Sequence, residues 1–195
     1  MPRAPIAVEA KIVRAGRRLA ALDAAMLAEW RLLARARSLW LRPSEEPPGR
    51  IAHPPEIAFP GPDTFDTDPP REARPWPDPW DRRTVRPRGG KLPAAMWIRL
   101  ASPLVDGVAA SPLIRAVAAA DFANPEGNQG SAGLQFVNAD ISLTLHRLPR
   151  REWMLAVAVA RGSEAGLAFA ACSLADEKER FGGATVASLA SARAR

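Results

Sequence analysis

Apolar and polar positions divide the chain into three zones: residues 1–42 and 96–195 are patterned, and residues 43–95 are broken by proline. The last zone reads most clearly. Met96-Trp97-Ile98-Arg99-Leu100 is a short strand. Ser111-Pro112 opens a helix, with serine as N-cap and proline at the first helical position, where no N–H is needed. Leu113, Ile114, Val117, Ala118 and Phe122 follow at helical spacing, and Asn124-Pro125 with Gly127 is the expected stop. A glycine-containing loop over 125–133 leads to four strand-like runs, 135–148, 152–161, 165–175 and 181–191. The last two are separated by the polar turn Asp176-Glu177-Lys178-Glu179. A helix followed by an antiparallel meander is an α+β pattern.

The first zone does not declare itself. Ala, Leu and Arg from Arg17 to Arg42 have helical propensity. Yet Ile6, Val8, Ala10 and Ile12 alternate with Ala7, Glu9, Lys11 and Val13, as in a strand, and Ala15-Gly16 sits where a hairpin would turn. Leu33, Arg35, Arg37 and Leu39 likewise separate from Ala34, Ala36, Ser38 and Trp40. The middle zone holds fourteen of the twenty prolines. Proline removes backbone donors and restricts the residue before it, so no regular element is expected there. Trp76 and Trp80 are too apolar for a solvated linker, and parts of the zone should pack on the domain surface.

Composition narrows the classes. At 195 residues with 47% hydrophobic content, the chain can bury a core. The net charge of +6 rests on scattered arginines, which reflects a general Arg/Ala bias more than a basic stripe. A nucleic-acid binder would rest on charge alone, without an interleaved aromatic and basic platform. Cys172 is the only cysteine, so no internal disulfide can form, and a reducing cytoplasm fits. No apolar run approaches the ~20 residues of a membrane span, and the start does not read as a signal peptide. Two histidines and one cysteine are too few for a metal site, and no glycine signature for a nucleotide is present, so no cofactor is expected.

One buried helix wrapped by an antiparallel sheet is the hotdog arrangement, and the residues themselves resemble a family with that fold. Phe136-Val137-Asn138-Ala139-Asp140-Ile141-Ser142-Leu143-Thr144-Leu145-His146-Arg147-Leu148-Pro149, then Glu152-Trp153, resembles the thioesterase-like superfamily of bacterial double-hotdog type II acyl-CoA thioesterases. Ala119-Ala120-Asp121-Phe122-Ala123-Asn124 and Asp176-Glu177-Lys178-Glu179-Arg180-Phe181-Gly182 resemble two further segments of it, in the same order. The resemblance implies that 1–42 are the last three strands of a first hotdog, 43–95 a connector, and 96–195 a C-terminal hotdog domain. It also implies that the front of the first half is missing. Three strands without their helix would expose an apolar face and an unpaired edge, so aggregation or pairing into a homo-oligomer is expected.

The implied activity is hydrolysis of acyl-CoA or another acyl thioester by a positioned water, without nucleic-acid or membrane partners. The alternative is a catalytically impaired hotdog that binds acyl-CoA or a partner protein. The family comparison implies an Asp on the helix, a small polar residue on the next strand and a Gln on the last strand, together holding the water. Asp121 and Asn138 fall at the first two positions. Asp121 is expected to reach an acyl-sized cleft from the end of an apolar, buried helix. The Gln position falls near Val186, and valine holds no water; Thr185 next to it belongs to the opposite face. Asp140 and Ser142 share the Asn138 face by simple alternation, and either line the cleft or form a solvated surface. His146 reads as a strand-end residue, His53 as inert, and Cys172 as a small core residue with no histidine partner.

Overall fold

The computed structural model describes residues 5–52, 58–68, 78–85 and 94–191, so Trp76 and His53 lie outside the described residues. The chain divides into two compact units, Met1–Glu56 and Ile57–Arg195.

Unit 1 is a three-stranded antiparallel sheet of β1 (Ile6–Ala15), β2 (Leu19–Ala28) and β3 (Arg31–Leu41). Here alternation overrides helical propensity. The turn closes through Gly16 N–H donating to the Leu19 carbonyl at 2.8 Å. The register sorts the side chains by chemistry. Val8, Met26 and Ala34 stand in one row, and Ile12, Leu22 and Ser38 in another on the same face. Lys11, Asp23 and Arg37 share a row on the other face, where Arg37 Nε donates to Asp23 at 2.8 Å. One face is therefore aliphatic and the other charged.

Unit 2 is built on a six-stranded antiparallel sheet in the order β4-β5-β9-β10-β11-β8. Its strands are β4 (Trp80–Val85), β5 (Ala95–Leu100), β8 (Phe136–Leu145), β9 (Met154–Glu164), β10 (Leu167–Asp176) and β11 (Arg180–Ala190). Helices α1 (Pro112–Ala120) and α2 (Ala123–Asn128) and the short pair β6 (Gln129–Gly130) and β7 (Gly133–Leu134) lie between β5 and β8 in sequence. The main core forms where the helices meet the sheet: Ile98, Met154, Leu174 and Phe181 are wholly buried with Ala116 and Ala119 of α1. The alanines let α1 approach closely. The approach of α2 is closer still, because a Cβ on Gly127 would stand 2.3 Å from the Ala170 Cβ of β10.

A second core occupies the opposite sheet face. Val85, Trp97, Leu155 and Val157 alternate with the first set, and Phe59 and Phe65 of the proline-rich zone pack against them. The Trp97 indole N–H donates to the Pro60 carbonyl at 3.0 Å. Two guanidinium groups stand over the Trp153 ring, Arg83 at 4.5 Å and Arg99 at 4.9 Å from its centroid. Packing of the proline-rich zone on the surface is thus observed, and Trp80 meets Phe122 edge-on at 4.9 Å.

Two sequence expectations need correction. The proline-rich zone does contain a regular element, β4. Its six residues WDRRTV are free of proline, so every ladder donor survives, and they form an edge strand paired with β5. Asn124-Pro125 does not end the helix either. Helix α1 stops at Ala120 with Asp121 as its C-cap, and Asn124-Pro125 lies in the first turn of α2, where a proline sacrifices no intrahelical bond. The glycine-containing loop expected over 125–133 is therefore part helix and part β-hairpin. No helix among the described residues is long and apolar enough to cross a membrane.

Candidate functional site

Ser111 caps α1 as the sequence suggests, its hydroxyl accepting from Ile114 N–H at 3.2 Å. The cap sets the phase of the helix. Ile114, Val117 and Asp121 follow at spacings of three and four and share one exposed face. Asp121 ends that face as the hinge residue between α1 and α2. The buried setting expected for it is not found: Asp121 is exposed, because the break after Ala120 turns it outward while Phe122 and Ala123 enter the core.

The structure brings Asp121 and Asn138 together. Asn138 Nδ2 donates to Asp121 Oδ1 at 2.6 Å, joining the helix junction to the edge strand β8. Asn138 reaches the helix side through an irregularity. The β8–β11 register pairs Asp140 with Ala187 and then Asn138 with Ser188, leaving Ala139 as an extra residue. This bulge reverses the alternation. Asn138 joins Ser188 on the helix side, whereas Asp140 and Ser142 sit opposite Ala187 and Thr185 on the exposed face. The shared face expected for Asn138, Asp140 and Ser142 is thereby broken. Asp140 and Ser142 meet each other at 3.5 Å instead.

Val186 is 1% exposed within the main core, while the neighbouring Thr185 is exposed on the other face. The last-strand residue facing Asn138 is Ser188, and it belongs to a buried polar cluster that the sequence analysis did not single out. Asn124, Asn128 and Ser188 are each 4% exposed or less. Ser188 Oγ donates to Asn124 Oδ1 at 3.1 Å, Asn128 Nδ2 donates to the same oxygen at 2.9 Å, and Asn124 Nδ2 donates to the Phe136 carbonyl at 3.0 Å. Two signals were available: Ser188 lies two residues beyond Val186, and Asn124 and Asn128 are one helical turn apart.

The remaining candidates are structural. His146 is exposed, and its backbone N–H closes the ladder on the Phe181 carbonyl at 3.1 Å. Cys172 is in the core; burial first, and then the Glu126 carboxylate, push its thiol up to about 12, which suppresses the nucleophilic thiolate. Asp176 has no exposed side-chain surface. Burial alone would raise its pKa, but Arg147 at 2.8 Å and the backbone N–H groups of Arg150, Lys178 and Glu179 hold it well below the usual carboxylate range. Asp176 locks the β10–β11 turn to the end of β8.

Two surface depressions lie elsewhere. One of about 420 Å³ is lined by Arg150, Arg151, Lys178 and Glu179, and one of about 390 Å³ by Arg17, Arg18, Arg42, Pro43 and Ser44. Neither includes Asp121, which is exposed, or Asn138, which is half-buried. Among the described residues, no group of three or more His, Cys, Asp or Glu is placed to hold a metal ion.

Comparison with solved structures places this architecture among hotdog proteins. An acyl-CoA thioesterase II from Mycobacterium marinum matches 94% of this chain over 73% of its own, at 18% identity and a TM-score of 0.67. The tesB protein of Mycobacterium avium subspecies paratuberculosis matches 97% of this chain over 73% of its own, at 16% identity and a TM-score of 0.66. A hot dog fold protein of Alicyclobacillus acidocaldarius matches 95% over 72%, at 14% identity and a TM-score of 0.63. At these identities the likeness is one of fold. A search of curated protein sequences found no match. Residues 52–185, which include the whole described hotdog up to the middle of β11, match the model of the acyl-CoA thioesterase C-terminal domain, and the chain belongs to that family.

Proposed function

We propose that the chain hydrolyses acyl-CoA thioesters, with Asp121 as general base and Asn138 as the residue that orients it. The carrying observation is the 2.6 Å hydrogen bond from Asn138 Nδ2 to Asp121 Oδ1. It fixes the carboxylate with one oxygen occupied and leaves Oδ2 without a protein partner among the described residues. A water donating to Oδ2 keeps a lone pair for attack. Its oxygen adds to the thioester carbon while its proton passes to Asp121. The C–S bond then breaks, the thiolate of coenzyme A takes up a proton, and a carboxylic acid is released. The exposed Ile114 and Val117, on the same helix face as Asp121, suit an aliphatic acyl chain.

A thiol-trapping assay over acyl-CoA esters of increasing chain length tests this reading. Asp121→Ala should lose at least about 100-fold in kcat with its fold intact, the usual scale for losing a general base. Unchanged turnover removes Asp121 from the mechanism. A second reading is favoured by Val186, which is sealed in the core where the family comparison implies a Gln. In it the protein binds acyl-CoA, or a partner, without turnover. Binding of a non-hydrolysable acyl-CoA analogue with no thiol release from the substrates selects it.

Residues 1–42 are read as the closing strands of a first hotdog half, and the chain as a homo-oligomer. Support comes from the aliphatic face of β1–β3, where Val8 is 68% and Ile12 66% exposed. Light scattering tests the oligomer, and a stable monomer at moderate concentration contradicts it.

A further inference from the structure

Two side-chain oxygens next to the Asp121–Asn138 pair are buried and accept no hydrogen bond: Asn128 Oδ1 and Asn138 Oδ1. The orientation of each amide follows from its neighbours. The Phe136 carbonyl can only accept, so Asn124 turns Nδ2 to it and Oδ1 away. Asn124 Oδ1 then needs donors, so Asn128 turns Nδ2 toward it and is left with an unpartnered oxygen. Asp121 is an acceptor in its charged form, so Asn138 presents Nδ2 to it and its oxygen faces inward. Flipping any one of the three amides would set acceptor against acceptor.

The two amides that carry the orphan oxygens are both neighbours of one residue. Ser188 is the ladder partner of Asn138, and Asn128 Nδ2 lies 3.5 Å from Ser188 Oγ. Directly opposed residues have Cβ atoms roughly 5 Å apart, so both amides border the same small volume beside Ser188. A buried acceptor left empty loses its hydration with nothing in return. A water molecule can donate one hydrogen to each, and two partners of this kind are enough to hold a buried water.

We propose that a buried water bridges Asn128 Oδ1 and Asn138 Oδ1, and that Asn124, Asn128 and Ser188 act through it as positioning residues. The water holds the Asn138 oxygen inward, which keeps Nδ2 on Asp121 and the carboxylate in one orientation. The buried cluster thereby sets the geometry of an exposed pair without touching substrate. The kinetic part of this inference rests on the thioesterase reading; the water and its effect on Asn138 do not.

Two measurements on the full chain decide it. A high-resolution crystal structure should show a water within hydrogen-bond distance of both oxygens. An empty site, or either oxygen bonded to a protein donor, overturns the proposal. Asn128→Leu keeps most of the volume and removes the inner anchor. Its structure should show the water gone and Asn138 Nδ2 off Asp121. Its acyl-CoA hydrolysis should fall about 10-fold in kcat at unchanged KM, the scale of one lost orienting hydrogen bond. A folded Asn128→Leu protein with wild-type kcat, or with Asn138 still on Asp121, also overturns it. If the wild type hydrolyses none of the acyl-CoA esters, the thioesterase reading fails, and the two structures still decide the bridging water. If Asn128→Leu does not fold, the wild-type structure decides alone.

Discussion

The two sheets of this chain use strands of the same length and differ in what covers their aliphatic faces. Strands β1, β2 and β3 have 10, 10 and 11 residues, as β8, β10 and β11 do, and all are paired antiparallel over nearly their whole length. In unit 2 the inward rows of β9–β11 meet alanine-rich helices, and Met154, Leu174 and Phe181 lose all contact with solvent. In unit 1 the corresponding row leaves Val8 and Ile12 about two-thirds exposed, at 68% and 66%. Backbone pairing is alike in both units. The difference is apolar burial, the dominant favourable contribution to folding. Unit 2 thus buries its aliphatic rows within itself, and the aliphatic face of unit 1 is exposed.

The sharpest way to break this comparison is a matched pair of truncations. Phe181→Ala should destabilise by about 4 kcal/mol, as large core aromatics do. Val8→Ala should stay within about 0.5 kcal/mol, as exposed positions do. Denaturant unfolding followed separately in the two units reads both. A cost at Val8 approaching that at Phe181 shows that the face is covered in solution, and a concentration dependence of that cost identifies another copy as the cover.

A smaller effect is expected at the turn lock of unit 2. Asp176→Asn leaves Arg147 without its buried partner and should cost about 3 kcal/mol near neutral pH. The folded-state pKa of Asp176 is depressed, so its contribution is present above the unfolded carboxylate range, near pH 4, and is lost as pH falls through the folded value. The stability gap between wild type and variant should therefore be constant above about pH 5 and narrow toward strongly acid pH. Thermal unfolding as a function of pH measures it, and a gap that widens on acidification contradicts the assignment. A smaller effect than the turn lock concerns the helix that distinguishes the two units. Ser111→Ala removes the cap bond to Ile114 and should cost about 1 kcal/mol, read by the same denaturant titration. No measurable change would mean that α1 is held by its alanine contacts alone.

Much of the fold was legible because it depends on local rules. The Ser111-Pro112 cap, the two-residue alternation of β9 to β11 and the glycine turn after β1 each follow from backbone chemistry. Strand β4 was hidden by the prolines around it, although its six residues contain none. In the site, Asp121 and Asn138 were identified by resemblance, and the structure joins them. Their neighbours escaped because strict alternation gives the wrong face on one side of Ala139. A bulge leaves no clear mark in a run such as VNADIS, so Asp140 and Ser142 were grouped with Asn138, and Ser188 was overlooked in favour of Val186. The exposure of Asp121 was missed for a related reason: a break of two residues between helices turns a side chain outward without interrupting the apolar spacing.

The supernumerary Ala139 works as a phase shifter within one strand. On its C-terminal side, Leu143 and Leu145 serve the hydrocarbon interior; on its N-terminal side, the same ribbon hands the Asn138 amide to the rim. The two halves are mechanically continuous but chemically independent, so the rim can exchange one polar residue for another while the greasy half keeps its register.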